Sequence, residues 1–462
     1  MRPAISWSEL AGRRVGVWGV RVEGAASLRR LAALGVRPAA VVDDRVTGVV
    51  EGEAVMSSSG GGLEALAGCE VVIKSPGISR HSAEVAALEA GGVAVTGGLA
   101  LWLSEHPGER VVCVTGSKGK STTTAVAGHL AARLGRRPFV GGNIGEPPWD
   151  PAAVVPPGGA DLWIVETSSF QAADVARSPG VVVVTSLSPD HLDWHGDVET
   201  YYADKLSLCT QPGAALTVAN GDDPVLAAHA GMLGPRVRWV PGPEGPAAGG
   251  TEWVEQLGLL GAHNRRNALL AAAALQAAGV EGADDPDRLA EAARGFVRLP
   301  SRLDPIAEVE GVTFVDDSLS TNVLPTLAAL EVFADRRLAL LAGGHDRGID
   351  YLPLAAVLLA REAPTLLLAL PDNGERILAA LRAGAAGGRG AGRGASEQVP
   401  RAGALEARSV GALRDAVAEG WSWARPDGVV LLSPAAASFG RFRDYRDRSA
   451  VFAGAVEALR RG

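Results

Sequence analysis

Short apolar runs rich in Val, Ile and Leu alternate along this chain with Ala/Leu-rich stretches of helical period. The runs predict buried strands at 14–18, 41–43, 71–74, 111–115, 163–166, 181–185, 313–316, 338–341, 365–370 and 429–432. Helices are predicted between them, at 25–34, 121–134, 267–278, 324–333 and 449–460. Strands that are apolar throughout and separated by helices imply parallel sheets with helical crossovers. Such sheets take their ligands beyond the carboxyl ends of the strands, so chemistry is sought there.

Polar breaks near 104–110 and 294–303 suggest three modules, 1–105, 106–297 and 298–462. The stretch 383–396 (AGAAGGRGAGRGAS) is low in complexity and is expected to be a mobile loop, and 241–250 is a shorter example.

A formal net charge of −8 and an aromatic content of 5% argue against nucleic-acid binding, which runs on phosphate neutralisation and base stacking. Cys69, Cys113 and Cys209 show no paired spacing, which excludes a disulfide scaffold and a thiolate zinc site. The first residues lack the apolar core of a signal peptide, and no stretch is long enough to span a membrane, so a cytoplasmic protein is expected. Lysine occurs only at 74, 118, 120 and 205; the remaining cations among the 44 Lys and Arg residues are arginine. Lysine can lose its proton and arginine cannot, so each surviving lysine is a candidate for chemistry that needs a neutral amine.

Two of the four lysines fall in one motif. The strand at 111–115 runs into Gly116-Ser117-Lys118-Gly119-Lys120-Ser121-Thr122 and then a helix. Glycines there let backbone N–H groups surround phosphate oxygens, with the helix N-terminus behind them. Lys120 would reach the terminal phosphates and Ser121 would ligate Mg²⁺. The motif is one glycine short of the common phosphate loop, because Val114 occupies that position. Glu166 ends the next strand and is well placed as a second Mg²⁺ ligand. His191 follows the strand at 181–185, and Lys205 lies in Tyr201-Tyr202-Ala203-Asp204-Lys205.

The order of these motifs resembles the Mur ligases. It comprises T-G-x-x-G-K-S-T at 115–122, Glu166 in E-x-S-S-F-Q, Asp190-His191-x-Asp193, Lys205, His263-Asn264-x-x-Asn267, Arg302, Asp317-Ser318-x-x-Thr321-Asn322 and Leu432-Ser433-Pro434. The resemblance implies an α/β fold of three domains. These are a Rossmann-like UDP-binding domain, a central ATPase-like domain with a parallel sheet, and a Rossmann-like C-terminal domain. It implies that ATP activates a carboxylate as an acyl phosphate, which an amino-acid amine then attacks. In that family Lys120 acts at the phosphates, Glu166 and His191 hold metal, and Lys205 is carbamylated. Asn267 would contact adenine, and Arg302 and Asp317 would contact ATP.

The first module opens Gly16-Val17-Trp18-Gly19-Val20-Arg21, and Arg21 stands where a dinucleotide fingerprint needs glycine, so NAD is disfavoured. The module resembles the UDP-binding domain of the ligase that adds glutamate to UDP-N-acetylmuramoyl-L-alanine. Ser75, Asn143 and Ser168 would contact that sugar–peptide substrate. Thr321, Arg347, Ser438 and Tyr445 would contact glutamate. The usual D-glutamate enzymes carry lysine at the position of Leu319. Gly344-His345-Asp346-Arg347-Gly348 and Ser438-Phe439-Gly440 are instead similar to a branch that adds L-glutamate beside a separate epimerase. Addition of L-glutamate is therefore the expectation and D-glutamate the alternative. A phosphate-loop NTPase or kinase without an amide product, or a silent binding subunit, are more distant readings. A monomer using ATP and Mg²⁺ is expected.

Overall fold

The computed structural model describes residues 2, 4–106, 110–213, 216–242, 250–387 and 405–461. They form an α/β protein with three parallel or mainly parallel sheets. The chain divides into two compact units: residues 1–258 with 263–296, and residues 259–262 with 297–462.

The first unit holds two parallel sheets and a small antiparallel pair, Gly48–Val50 with Glu53–Val55. One has four parallel strands in the order Ala40–Val42, Val15–Trp18, Val71–Lys74, Ala94–Thr96. The other has six parallel strands in the order Val237–Val240, Leu216–Asn220, Val181–Val184, Val111–Thr115, Leu162–Glu166, Pro138–Gly142. A helix, Gly98–Glu105, lies between them in sequence and is buried from Gly98 to Leu103. Leu99, Leu101, Trp102 and Leu103 belong to one apolar cluster that also contains Val15 and Val71 of the first sheet and Val111 and Val165 of the second. A helix apolar on all sides needs cover on all sides, and this one is why the first two sheets form one unit.

The second unit carries a six-stranded sheet, Asp304–Val309, Val312–Asp316, Val429–Leu432, Leu338–Ala342, Thr365–Ala369, Leu405–Ser409. Only the first pair is antiparallel. The four central strands are almost wholly buried, with apolar clusters on both faces.

Each strand predicted from the apolar runs is present to within a residue or so, and each predicted helix is present with shifted ends. One expectation needs correction. Residues 383–387 are the last part of the helix Gly374–Gly387 and not loop. Ala383, Ala385 and Ala386 extend a helix because alanine has the highest intrinsic helix propensity. The rest of that stretch, 388–396, lies outside the described residues, as do 243–249 of the shorter one. Among the described residues no helix is long and apolar enough to cross a membrane. The three cysteines are buried and free.

Candidate active site

The phosphate loop follows Val111–Thr115, which lies between Leu162–Glu166 and Val181–Val184 in the central sheet. Its shape requires glycine at two points. Gly116 has φ +138°, and a Cβ there would lie 2.1 Å from Thr185 Oγ1. Gly119 has φ +90°, and a Cβ would lie 2.5 Å from Asn267 Oδ1. Asn267, expected at the nucleotide base, is thus packed directly against the loop.

The loop is held by the turn after Val181–Val184. Lys118 N donates to Ser186 Oγ at 2.9 Å, and Ser117 N donates to Ser186 O at 2.8 Å. The Ser117 hydroxyl bonds Tyr201 Oη and Ser188 O, each at 2.8 Å. The loop is therefore rigid before any ligand arrives, which suits a site that must meet an anion with fixed donors.

Lys120 begins the helix Lys120–Arg133 and folds back so that Nζ donates to Gly116 O at 2.8 Å. Lys205 reaches the same carbonyl from the helix Val198–Leu206, at 3.0 Å. Its ammonium position lies 4.9 Å from the centre of the Tyr201 ring. Lys205 is buried, and burial holds its amine well below the usual lysine range; Lys120 and Lys118 push it further down, against the pull of Asp190 and Glu166. A neutral amine at this position is what carbamylation requires.

Glu166 is also buried. Its Oε1 accepts from Asn143 Nδ2 at 2.7 Å, and Asn143 N donates to the Glu166 carbonyl at 2.8 Å. Its Oε2 is buried and has no hydrogen-bond partner among the described residues. A carboxylate oxygen left bare is costly unless something cationic occupies the space beside it. The donor set of Glu166, Ser121 and His191 fits a divalent cation on that ground. His191 sits at φ +53°, with its ring 4.8 Å from Phe170. Burial lowers its pKa, against Asp190 and with Lys118 and Lys120 lowering it further, which favours a neutral imidazole with a lone pair to give. Lys118 Nζ pairs with Asp190 at 3.1 Å.

The turns at the carboxyl ends of the first sheet's strands are themselves hydrogen-bonded. Ser75 Oγ donates to Gly19 O at 2.6 Å, and Asp43 accepts from the backbone of Val20, Arg45 and Val46. The two sheets are stitched by Trp194 Nε1 to Pro76 O at 3.1 Å and Ser79 Oγ to Trp194 O at 2.8 Å. Lys74, an open question from sequence, is fully buried and pairs with Asp174 at 2.6 Å; Arg80 reaches the other oxygen at 3.0 Å. The ion pair gives its buried charge a countercharge. Ser168 caps the short helix Ser169–Ala172 and forms a capping box with Gln171. Gln171 Nε2 in turn donates to Glu23 Oε1 at 2.7 Å.

In the second unit, Asp317 follows Val312–Asp316 and is buried. Its carboxylate accepts from Leu303 N at 3.2 Å, from Ser433 Oγ at 2.7 Å and from Ser320 Oγ. Burial pushes its pKa up to about 6, against those hydrogen bonds and Arg302. The segments 343–348 and 433–439 meet where His345 N donates to Ala437 O at 2.9 Å. Arg347 lies 6.0 Å over the ring of Phe439, and both are exposed. Ser438 is buried nearby in sequence, and Tyr445 opens the helix Tyr445–Arg461. Arg448, which sequence reasoning passed over, is fully buried and donates to Ser318 O at 2.7 Å and Ala436 O at 3.2 Å. It joins the segments carrying Thr321 and Ser438. No motif marked it, because a charged residue on a terminal helix reads as solvated.

Residues 114–240 match the Mur ligase middle domain. A curated relative from Micromonospora, a UDP-N-acetylmuramoyl-L-alanine–L-glutamate ligase, is 41% identical over 97% of this chain and 97% of its own. A protein of the same name from Xanthomonas axonopodis pv. citri is 40% identical over 96% and 95%. This chain belongs to the Mur ligase family. Among solved structures, the UDP-N-acetylmuramate–alanine ligase MurC of Thermotoga maritima aligns with TM-score 0.55 and 18% identity, over 96% of this chain and 99% of that one. MurF ligase of the same organism, solved with ADP, also has TM-score 0.55, at 15% identity over 96% and 94%. Both carry the Mur ligase fold, and the α/β architecture here is that fold.

Proposed function

We propose that this Mur ligase joins L-glutamate to UDP-N-acetylmuramoyl-L-alanine, with ATP converted to ADP and phosphate, in peptidoglycan precursor synthesis. One observation carries the chemistry: Lys120 and Lys205 converge on one loop carbonyl, and Glu166, whose charge acts on Lys205, has a buried oxygen with no hydrogen-bond partner among the described residues. A phosphate loop alone serves many enzymes; a neutral buried lysine beside it serves few.

In the first step an alanine carboxylate oxygen attacks the γ-phosphorus of ATP, and ADP departs. The backbone N–H groups at the start of the helix Lys120–Arg133 and the Lys120 ammonium would hold the phosphate charge. Ser121, Glu166 and His191 would hold Mg²⁺, which supplies charge neutralisation at the transferring phosphoryl group. In the second step the glutamate amine attacks the acyl carbon, the C–O bond to phosphate breaks, and the amide forms as the amine gives up a proton, taken up by the departing phosphate, which leaves with the oxygen it gained. Lys205, whose pKa burial holds well below the usual lysine range, would as the free amine add CO₂ and shed a proton to become a carbamate anion. Arginine could not do this. Asn267, Arg302 and Asp317 would bind the nucleotide. Ser75, Asn143 and Ser168 would bind the sugar–peptide.

The choice of L-glutamate rests on the relatives' names and on the second unit's cations. No lysine occurs beyond 205, so a glutamate carboxylate must be met by arginine, and Arg347 beside Phe439 is the candidate. Thr321, Ser438 and Tyr445 would complete that pocket. The product would pass to an epimerase where the wall uses D-glutamate. The three-module division at 105 and 297, a monomeric state and a cytoplasmic location are part of the same reading.

The test supplies UDP-N-acetylmuramoyl-L-alanine, ATP and each glutamate isomer and measures phosphate release and the new amide by mass spectrometry. The L isomer is expected to dominate. Preference for D-glutamate would reverse the stereochemical choice, and nucleotide hydrolysis independent of both substrates would remove the ligase. Arg347→Ala is expected to raise the KM for glutamate by about tenfold or more while leaving the KM for ATP unchanged, as loss of a charge-assisted contact of ~1.5–3 kcal/mol predicts.

A further inference from the structure

We propose that His81, His195 and Asp204 form a binding site for one zinc-like divalent cation, separate from the phosphate-loop site and not needed for the reaction derived above. The three residues come from different elements. His81 lies between the strand Val71–Lys74 and the helix Ala83–Ala90, His195 ends the short helix Leu192–His195, and Asp204 is on Val198–Leu206. Their ligand atoms, one per residue, all lie within 4.8 Å of one another. Asp204 Oδ2 is 2.7 Å from His81 Nε2 and 2.8 Å from His195 Nδ1.

The surroundings are those of a metal site. A metal-bound histidine normally donates its second ring N–H to a fixed acceptor, which sets the tautomer. His195 Nε2 lies 3.0 Å from Ser169 Oγ, which can be that acceptor. Aromatic rings exclude water from the inner face: Trp194 at 4.4 Å, Tyr201 at 5.1 Å and Phe170 at 5.5 Å from the His195 ring. His195 and Asp204 are buried, whereas the His81 side chain is 40% exposed, so ion entry and a water ligand are open on that side. Two imidazoles and one carboxylate suit Zn²⁺ and its first-row neighbours; Mg²⁺ prefers oxygen ligands throughout. Arg2, at 3.7 Å from Asp204 Oδ1, faces the oxygen that the cation would not use.

Asp204 supplies the anionic ligand: burial opposes its charge, but the hydrogen bonds from His195 and His81 hold its pKa below the usual value. The bound ion would tie the loop of the first sheet to the helix that carries Lys205.

The experiment uses the full chain, stripped with EDTA and dialysed. Zn²⁺ is titrated against a chromophoric chelator, and Co²⁺ is followed by its visible absorption. The expected result is one equivalent of Zn²⁺ and an intense four-coordinate cobalt spectrum. His81→Ala, at an exposed position that leaves the fold intact, should weaken binding by about 10- to 100-fold or more. His195→Ala should do the same where it folds. His191→Ala and Glu166→Gln alter the phosphate-loop site and should leave Zn²⁺ affinity unchanged. Equal Zn²⁺ binding by the parent and His81→Ala would overturn the proposal and leave a hydrogen-bonded triad only. Loss of the equivalent in His191→Ala would overturn it too, placing the ion at the other site.

Discussion

Lys205 and Lys74 are both buried lysines, yet their surroundings give them opposite characters. Lys74 meets Asp174 at 2.6 Å in a direct ion pair; Lys205 bonds a carbonyl, and burial with two neighbouring lysines outweighs the pull of Asp190 and Glu166. The scarcity of lysine pointed to both from sequence, and only the partners separate them. Lys205→Arg is therefore expected to lose activity by about a hundredfold or more, a loss of the size seen when a preorganised charge is removed. Lys205→Ala should regain part of it with acetate, whose carboxylate replaces the carbamate; a fully active Lys205→Arg would exclude Lys205 from the chemistry. Asp317 gives a prediction in pH. Its carboxyl is raised from 3.8 to about 6 by burial, so between those values the folded chain holds a proton that the unfolded chain has lost. Its stabilising contribution is complete below pH 4 and is lost as pH rises through 6. Calorimetry of Asp317→Asn against the parent should show the variant gaining in relative Tm from pH 4.5 to pH 7. A difference that does not change with pH would mean that Asp317 is not the titrating group.

At the scale of elements, the apolar runs located the sheet centres because fully buried parallel strands must be apolar on both faces. Apart from Ala40–Val42 they did not include the edge strands, nor the interior strand Leu216–Asn220. Pro138–Gly142 starts with proline and ends with two glycines, and Leu405–Ser409 is mostly exposed, so neither carries a strand signal that sequence can show. The phosphate loop was legible because its glycines, lysine and serine are consecutive. The residues that hold it, Thr185, Ser186 and Tyr201, were not, since they come from elsewhere in the chain. The helix Gly98–Glu105 supports a prediction of its own. A Cβ on Gly98 would lie 2.4 Å from Trp149 Cζ2, a ring buried in the cluster that joins the first two sheets. Gly98→Ala forces that ring to move and should destabilise the first unit by about 1–3 kcal/mol, the usual cost of overpacking. Urea unfolding followed by fluorescence would show a lower midpoint; an unchanged midpoint would mean the tryptophan shifts freely and the cluster is loose.

Across the whole molecule, the lysines are confined to the first unit while arginine is spread over both. An amine-directed reagent therefore reports on the first unit alone, and its order of attack follows burial. Lys118 is 38% exposed at its side chain, Lys120 is half-buried against its own loop, and Lys74 and Lys205 are sealed. Acylation followed by peptide mass spectrometry should modify Lys118 first and Lys120 next, and ATP should slow both. Lys74 should react only when the unit unfolds, since its amine is buried in an ion pair. Lys205 is less basic than a normal lysine and so intrinsically more reactive toward acylation, yet burial withholds it. The two effects oppose one another, and exposure decides, because a reagent larger than water cannot reach a sealed amine. Bicarbonate should have no effect on Lys118 but should further protect Lys205 in mild denaturant, as a carbamate has no free amine to acylate. Early labelling of Lys205 in the folded protein would show the amine open to solvent, and the neutral, enclosed lysine on which the ligase chemistry depends would not exist.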